Sequence, residues 1–250
     1  MIGPRRIDKP LVLYGYGRLG KLAEEIFKEL GIPIAAKIDR TTWCGKLTKD
    51  SLVAVCVATK PYTGIVKTLE ELGFTDIVPV WDIIEAYPEV GIHNGWFFVP
   101  ATNYQDDAET YDIMGKWNDA QSQKHYGAFM DWRISHYEHP DAAIEVSPSS
   151  LPSTLVNIRA RQHPYRILSG NCEFIEIHNE GNELKTIEWS ISELQRYRPR
   201  LSVACYHSRD GLWRIEKYLM DNLPDYRWTF RLTAWMGQGA YTYGTPMEAL

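Results

Sequence analysis

The chain has 250 residues, 44% hydrophobic and 24% charged, with a formal net charge of −5. This is the mixture of an ordinary folded protein, long enough for one large core or two smaller ones. A negative balance disfavours nonspecific nucleic-acid binding and attachment to an anionic membrane, since both need a positive field. Neither is expected among its partners, and Arg159, Arg161, His163 and Arg166 read as a solvated basic face. The four cysteines, Cys44, Cys56, Cys172 and Cys205, show no Cys-x-x-Cys spacing, so neither a disulfide framework nor a metal site is expected. Met1-Ile2-Gly3-Pro4-Arg5-Arg6 lacks the apolar run of a signal peptide, and a cytoplasmic location is the expectation.

Leu11–Tyr14 reads as a short apolar strand running into Gly15-Tyr16-Gly17-Arg18-Leu19-Gly20. A helix from Lys21 to Leu30 follows, with Leu22, Ile26, Phe27 and Leu30 on one face, then a strand from Ile32 to Ile38 that finishes at Asp39. Glycines let backbone approach a pyrophosphate, the helix start offers free amide hydrogens, and an acid at the second strand end suits a ribose. Gly15, Tyr16, Gly17, Arg18, Leu19, Gly20 and Asp39 are therefore candidate residues for a nucleotide or nucleotide sugar. The competing reading is that the three glycines only permit tight turning and close helix packing. A strand at Leu52–Ala58, a helix at Tyr62–Leu72 and a strand at Ile77–Val80 continue the alternation, which predicts a parallel sheet.

From Asp106 to Tyr137 the spacing predicts helix, rich in aromatic residues that read as core or interface packing rather than a sugar platform. His139 to Pro152, rich in proline and serine, reads as a linker. Two short runs, Thr154–Ile158 and Tyr165–Leu168, could be strands.

Phe174–His178 alternates as a strand and breaks at Glu180-Gly181. Helical spacing resumes through Leu184, Ile187, Ile191 and Leu194 until Arg198-Pro199 stops it. A strand at Leu201–His207, a helix from Asp210 to Leu223 and an aromatic hairpin, Tyr226–Trp235 with Ala240–Tyr243, complete the chain. Open α/β sheets bind ligands at the carboxyl ends of their strands. That makes Glu180, His178 and His207 the candidate catalytic residues, Glu180 as general base and the histidines facing one cleft. The alternative for Glu180 and Glu183 is that both acids merely favour a helix start.

The order of Phe174–Glu183, Tyr197–Leu201, Val203–His207, Asp210–Trp213, Leu223–Arg227 and the hairpin resembles the C-terminal half of FkbM-type S-adenosylmethionine-dependent methyltransferases. In that family the strand usually reads Lys-x-Asp-x-Glu-Gly; here Glu176 and His178 replace the lysine and aspartate, while Glu180, Gly181 and Glu183 match. Leu13–Gly20, Ile38-Asp39 and Asn94–Phe97 are similar to the Rossmann-like module that precedes some FkbM-type domains. The resemblance implies S-adenosylmethionine as cofactor and O-methylation of a glycan or other hydroxyl-bearing small molecule. Such a domain also needs a glycine-rich turn after its first strand and an acid closing its second. Between positions 139 and 172 lie only 32 residues with the single glycine Gly170, and one βαβ unit alone takes about 30. The cofactor half is therefore expected to be missing and the chain to be degenerate. The alternative is a non-catalytic nucleotide- or sugar-binding or protein-interaction module.

The expected fold is α/β: a Rossmann-like module over residues 1–100, an aromatic helical connector and linker over 101–150, and a truncated methyltransferase-like domain over 151–250. Truncation would leave one edge of the Phe174–His178 strand open, which is an aggregation hazard. Pairing with one of the runs at 154–158 or 165–168, or cover by a second copy or a partner protein, is expected there.

Overall fold

The computed structural model describes residues 4–39, 48–87, 104–139, 142, 155–159 and 172–247. The run at Tyr165–Leu168, most of the 139–152 linker, Asn94–Phe97 and Cys44 lie outside the described residues. The chain divides into two compact units, Met1–Ile92 with Ser135–Pro140, and His93–Ile134 with Asp141–Leu250. The fold is α/β, as the alternation of elements predicts.

In the first unit, β1 (Leu11–Tyr14), β2 (Ile34–Ile38), β3 (Leu52–Val55) and β4 (Asp76–Pro79) form a parallel sheet in the order β2-β1-β3-β4. Leu-Val-Leu and Leu-Val-Ala-Val fill the two central strands because a parallel sheet is buried on both faces. The flanking helices are α1 (Arg18–Glu29), α2 (Tyr62–Glu71) and α3 (Val80–Glu85). The last begins directly after β4 and was not legible as a helix; its Trp81, Ile83 and Ile84 are buried. Two side chains of the discontinuous segment Ser135–Pro140 reach into this unit. His136 Nδ1 lies 2.8 Å from buried Asp82, and Glu138 meets the start of α2.

In the second unit, the expected single helix from Asp106 to Tyr137 is two, α4 (Tyr104–Lys116) and α5 (Ala120–Ser135). The break falls at Asp119, whose carboxylate accepts the Ser122 N–H at 2.8 Å and so starts a new helix. The sheet runs β5 (Leu155–Arg159), β6 (Phe174–His178), β7 (Arg200–Ala204), β9 (Ala240–Pro246), β8 (Tyr226–Leu232). β5, β6 and β7 are parallel, whereas β9 is antiparallel to both neighbours. β5 thus covers the edge of β6, with Leu155 opposite Phe174 and Arg159 opposite His178.

Between the strands come α6 (Glu183–Tyr197), a short 3₁₀ turn at Arg209–Leu212, and α7 (Arg214–Asn222). α6 stops as the sequence predicts, with Arg198 in the left-handed region (φ 49°) before Pro199. The pairing register puts Ile175, Ile177, Leu201, Val203, Trp228, Phe230 and Leu232 on one face of the sheet. They share a core with Trp117 and Phe129 and with Ile187, Leu194, Ile215 and Leu219 of α6 and α7. The opposite face carries Glu176, His178, Ser202, Tyr241 and Tyr243. No helix among the described residues is long and apolar enough to cross a membrane.

α5 also seals the outer edge of β8. An edge strand offers unpaired N–H groups at every second residue, about 14 Å over four steps. The N–H groups of Trp228, Phe230 and Leu232 donate to Asn118 Oδ1 (2.7 Å), Ser122 Oγ (2.9 Å) and His125 Nδ1 (3.1 Å). Ser122 and His125 lie one turn apart on α5 and Asn118 stands in the break just before it, so the three acceptors are spaced closely enough along the edge to bond.

Candidate functional site

At the glycine turn of the first unit, Gly15 has φ +92°, and a Cβ there would lie 2.3 Å from Val57 Cγ2. A Cβ on Gly20 would fall 2.2 Å from the Gly15 carbonyl oxygen. Packing alone demands these two glycines. Gly17 differs: it is exposed, and a Cβ would meet nothing within 4 Å among the described residues. Arg18 is exposed and Leu19 half-buried in the first turn of α1, a turn with no acid and, among the described residues, no side-chain cap. Tyr16 donates its hydroxyl to Glu24, and Lys37 Nζ stands 4.5 Å above its ring. Asp39 is exposed just past β2.

The order β2-β1-β3-β4 places the ligand crevice of such a sheet at the carboxyl ends of β1 and β3. Two helices start there. Glu138 fills the start of α2, accepting the N–H groups of Tyr62 (2.6 Å) and Thr63 (3.0 Å) and the Thr63 hydroxyl (2.8 Å). The start of α1 carries Gly17 instead.

In the second unit, β6 and β7 bring His178 and His207 together, with ring centroids 4.5 Å apart. The chain leaves β6 through Asn179 and a left-handed pair, Glu180 (φ 50°) and Gly181 (φ 94°), before α6 begins at Glu183. Glu183 folds back beneath this turn. Its Oε1 accepts the Asn179 N–H and its Oε2 the Gly181 N–H, both at 2.9 Å. Oε1 also lies 2.7 Å from His207 Nδ1, making a buried carboxylate–imidazole pair. His207 Nε2 has no hydrogen-bond partner among the described residues. Glu180 is half-buried and makes no hydrogen bond or ion pair with a described residue. The acid that contacts His207 is Glu183, three positions further on.

His178 Nδ1 lies 3.0 Å from the hydroxyl of Tyr241 on β9. Burial, with Tyr206 beside it, pushes the Tyr241 phenol up, so it stays a neutral donor at physiological pH. Tyr206 lies against both histidines, at 4.1 Å from His207 and 5.8 Å from His178. Chemically, the arrangement offers an imidazole oriented by a carboxylate and an imidazole joined to a phenol, at the carboxyl end of the sheet. The carboxylate selects the Nδ1–H tautomer of His207 and leaves Nε2 able to accept a proton or a hydrogen bond from a hydroxyl.

Sequence reasoning named the two histidines but not Tyr206, Tyr241 or the Glu183 link. Tyr241 is the first aromatic residue of the last strand, and only the pairing of β9 beside β7 brings it to His178. Among the described residues no group of three or more His, Cys, Asp and Glu side chains is arranged to hold a metal ion. A shallow concavity of about 510 Å³, lined by Cys172, Glu173, Tyr197, Arg198, Pro199 and Arg200, opens at the amino ends of β6 and β7, away from the histidines.

Parallel strands joined by helices and closed by an antiparallel hairpin define the second unit as an α/β domain. Among solved structures, the chain is similar to the methyltransferase FkbM from Methylobacillus flagellatus KT, with a TM-score of 0.58 and 10% identity over 95% of this chain and 90% of that one. At that identity the likeness concerns the fold. No family model and no curated protein matches the chain.

Proposed function

We propose that the chain is a methyltransferase-like protein that retains the acceptor side of its fold. It binds a hydroxyl-bearing small molecule or glycan at the His178–His207 end of the second sheet and does not transfer methyl groups by itself. The Glu183–His207 pair carries this reading, because an oriented imidazole with an uncommitted Nε2 is suited to a hydroxyl proton. His178 with Tyr241 would hold a second hydroxyl, and Glu180 would border the site.

S-adenosylmethionine does not fit the residues present. Its sulfonium is a cation, yet His178 stands where the resembling family carries an aspartate, and Arg159 occupies the register position beside it. Beyond Arg159 the sequence continues Ala160-Arg161-Gln162-His163-Pro164, without the glycines that such a cofactor turn uses.

Calorimetric titration with S-adenosylmethionine, S-adenosylhomocysteine, simple sugars and nucleotide sugars tests the reading. Sugar binding is expected, weakened at least about tenfold (about 1.4 kcal/mol) by His207→Ala. Micromolar binding of S-adenosylmethionine would overturn it and restore an O-methyltransferase. A second reading, a nucleotide at the Gly15–Gly20 turn, is favoured by Gly17, the one glycine there that packing does not demand. Nucleotide binding abolished by Gly17→Val in a chain that still folds would support it.

A further inference from the structure

Arg133, near the end of α5, is fully buried. One guanidinium nitrogen donates to two carbonyl oxygens, those of Tyr206 at 2.6 Å and Gly237 at 2.8 Å. The first belongs to the residue immediately before His207. The second lies in the turn of the closing hairpin, where Gly237 has φ +64° and a Cβ would sit 2.5 Å from Trp132 Cδ1 and 3.3 Å from Arg133 Nε. The turn is thus fitted against the last part of α5 so closely that no side chain can stand between them.

Two other contacts hold the same strand end. The Cys205 N–H donates to the Ala240 carbonyl at 2.9 Å. A Cβ on Gly211 would come within 1.9 Å of the Cys205 carbonyl oxygen, so the 3₁₀ turn presses directly on the backbone there. Past Cys205 the chain has left the ladder of β7, and the Tyr206 carbonyl is the next backbone group that can be fixed. A guanidinium suits this task because its fork of N–H groups is rigid and always charged. Burying that charge is costly, which sets Arg133 apart from an ordinary tie between a helix and a loop.

We infer that Arg133 is a positioning residue for His207: by clamping the Tyr206 and Gly237 carbonyls it fixes the backbone from which the imidazole reaches Glu183. Its importance for function rests on the reading of His207 as the site's base, but the geometric claim is separable from it.

Nitrogen–proton NMR of the histidine rings in the full chain tests the clamp. The His207 Nδ1 proton, held by Glu183, should give a downfield, slowly exchanging signal that Glu183→Gln removes. Arg133→Gln should also remove or broaden it, and Arg133→Lys, which keeps the charge and one donor direction, should restore part of it. The Leu232 backbone amide, which donates to His125 Nδ1, should stay in place throughout and reports an intact fold. A His207 signal unchanged in Arg133→Gln, with only a lower melting temperature, overturns the inference. Should neither variant fold, the unaltered chain decides. The Arg133 guanidinium protons and the His207 Nδ1 proton should then exchange with water within a factor of about ten of each other. Much faster exchange at His207 would overturn the clamp. Unaltered sugar binding in His207→Ala sinks the base reading alone, whereas an unaltered His207 resonance in Arg133→Gln sinks the clamp alone.

Discussion

Glu216 sits wholly buried on α7, where Thr242 donates to one carboxyl oxygen at 3.3 Å, and burial pushes its pKa up to about 8. Its other oxygen has no hydrogen-bond partner among the described residues. An unfolded glutamate titrates near 4.3, so between about pH 4.5 and 8 the folded chain holds a proton that the unfolded chain releases. Stability contributed by this group is fully present below that window and is lost as pH rises through it, with a slope of up to about 1.4 kcal/mol per pH unit. Glu216→Gln keeps the neutral shape and should flatten the loss. Thermal melts from pH 5 to 8 should show the variant gaining on the parent chain toward alkaline pH, and parallel curves would contradict the assignment. Glu183 and Glu138 are buried as well but are surrounded by backbone N–H donors. Glu216 has a hydroxyl and a thiol facing it, and desolvation outweighs both.

At the scale of elements, α5 does two jobs with one stripe and one end. Ser122→Ala removes the acceptor of the Phe230 N–H and should cost about 1–3 kcal/mol in urea denaturation. Altering Asn118, Ser122 and His125 together should expose the edge of β8 and produce self-association visible by light scattering. A monodisperse triple variant would show that the ladder is dispensable. None of this was legible beforehand. Ser122 and His125 carry no local sign of a partner, and theirs lie about a hundred positions away, on a strand whose free edge no local pattern reveals. What could be read were elements with a strong local signal. These are the apolar runs of β1 and β3, the alternation of β6, the stop at Arg198-Pro199, and the hairpin. Cover for the open edge of β6 was foreseeable because an unpaired central strand is a liability, and β5 provides it. The two histidines were legible from their places at the ends of adjacent strands. The carboxylate that meets His207 was one helical turn from the acid first singled out, a distinction that depends on how the left-handed turn at Glu180-Gly181 re-aims the backbone.

At the scale of the molecule, the first unit is discontinuous, because Ser135–Pro140 belongs to it although residues 93–134 belong to the second. Glu138 supplies the cap of α2, and His136 stands beside Asp82. Glu138→Ala should cost about 1–3 kcal/mol and speed hydrogen exchange at the Tyr62 and Thr63 amides, while those at the start of α6 stay unchanged. Uniform acceleration across both units would contradict a local role. The same arrangement imposes an order in time during synthesis. The amino-terminal sheet is translated first, yet its helix cap arrives only after an intervening stretch belonging to another core. At about 5–20 residues per second that stretch takes about 2 to 8 s. Until Glu138 emerges, the Tyr62 and Thr63 amides at the head of α2 lack the carboxylate that accepts from them in the folded chain.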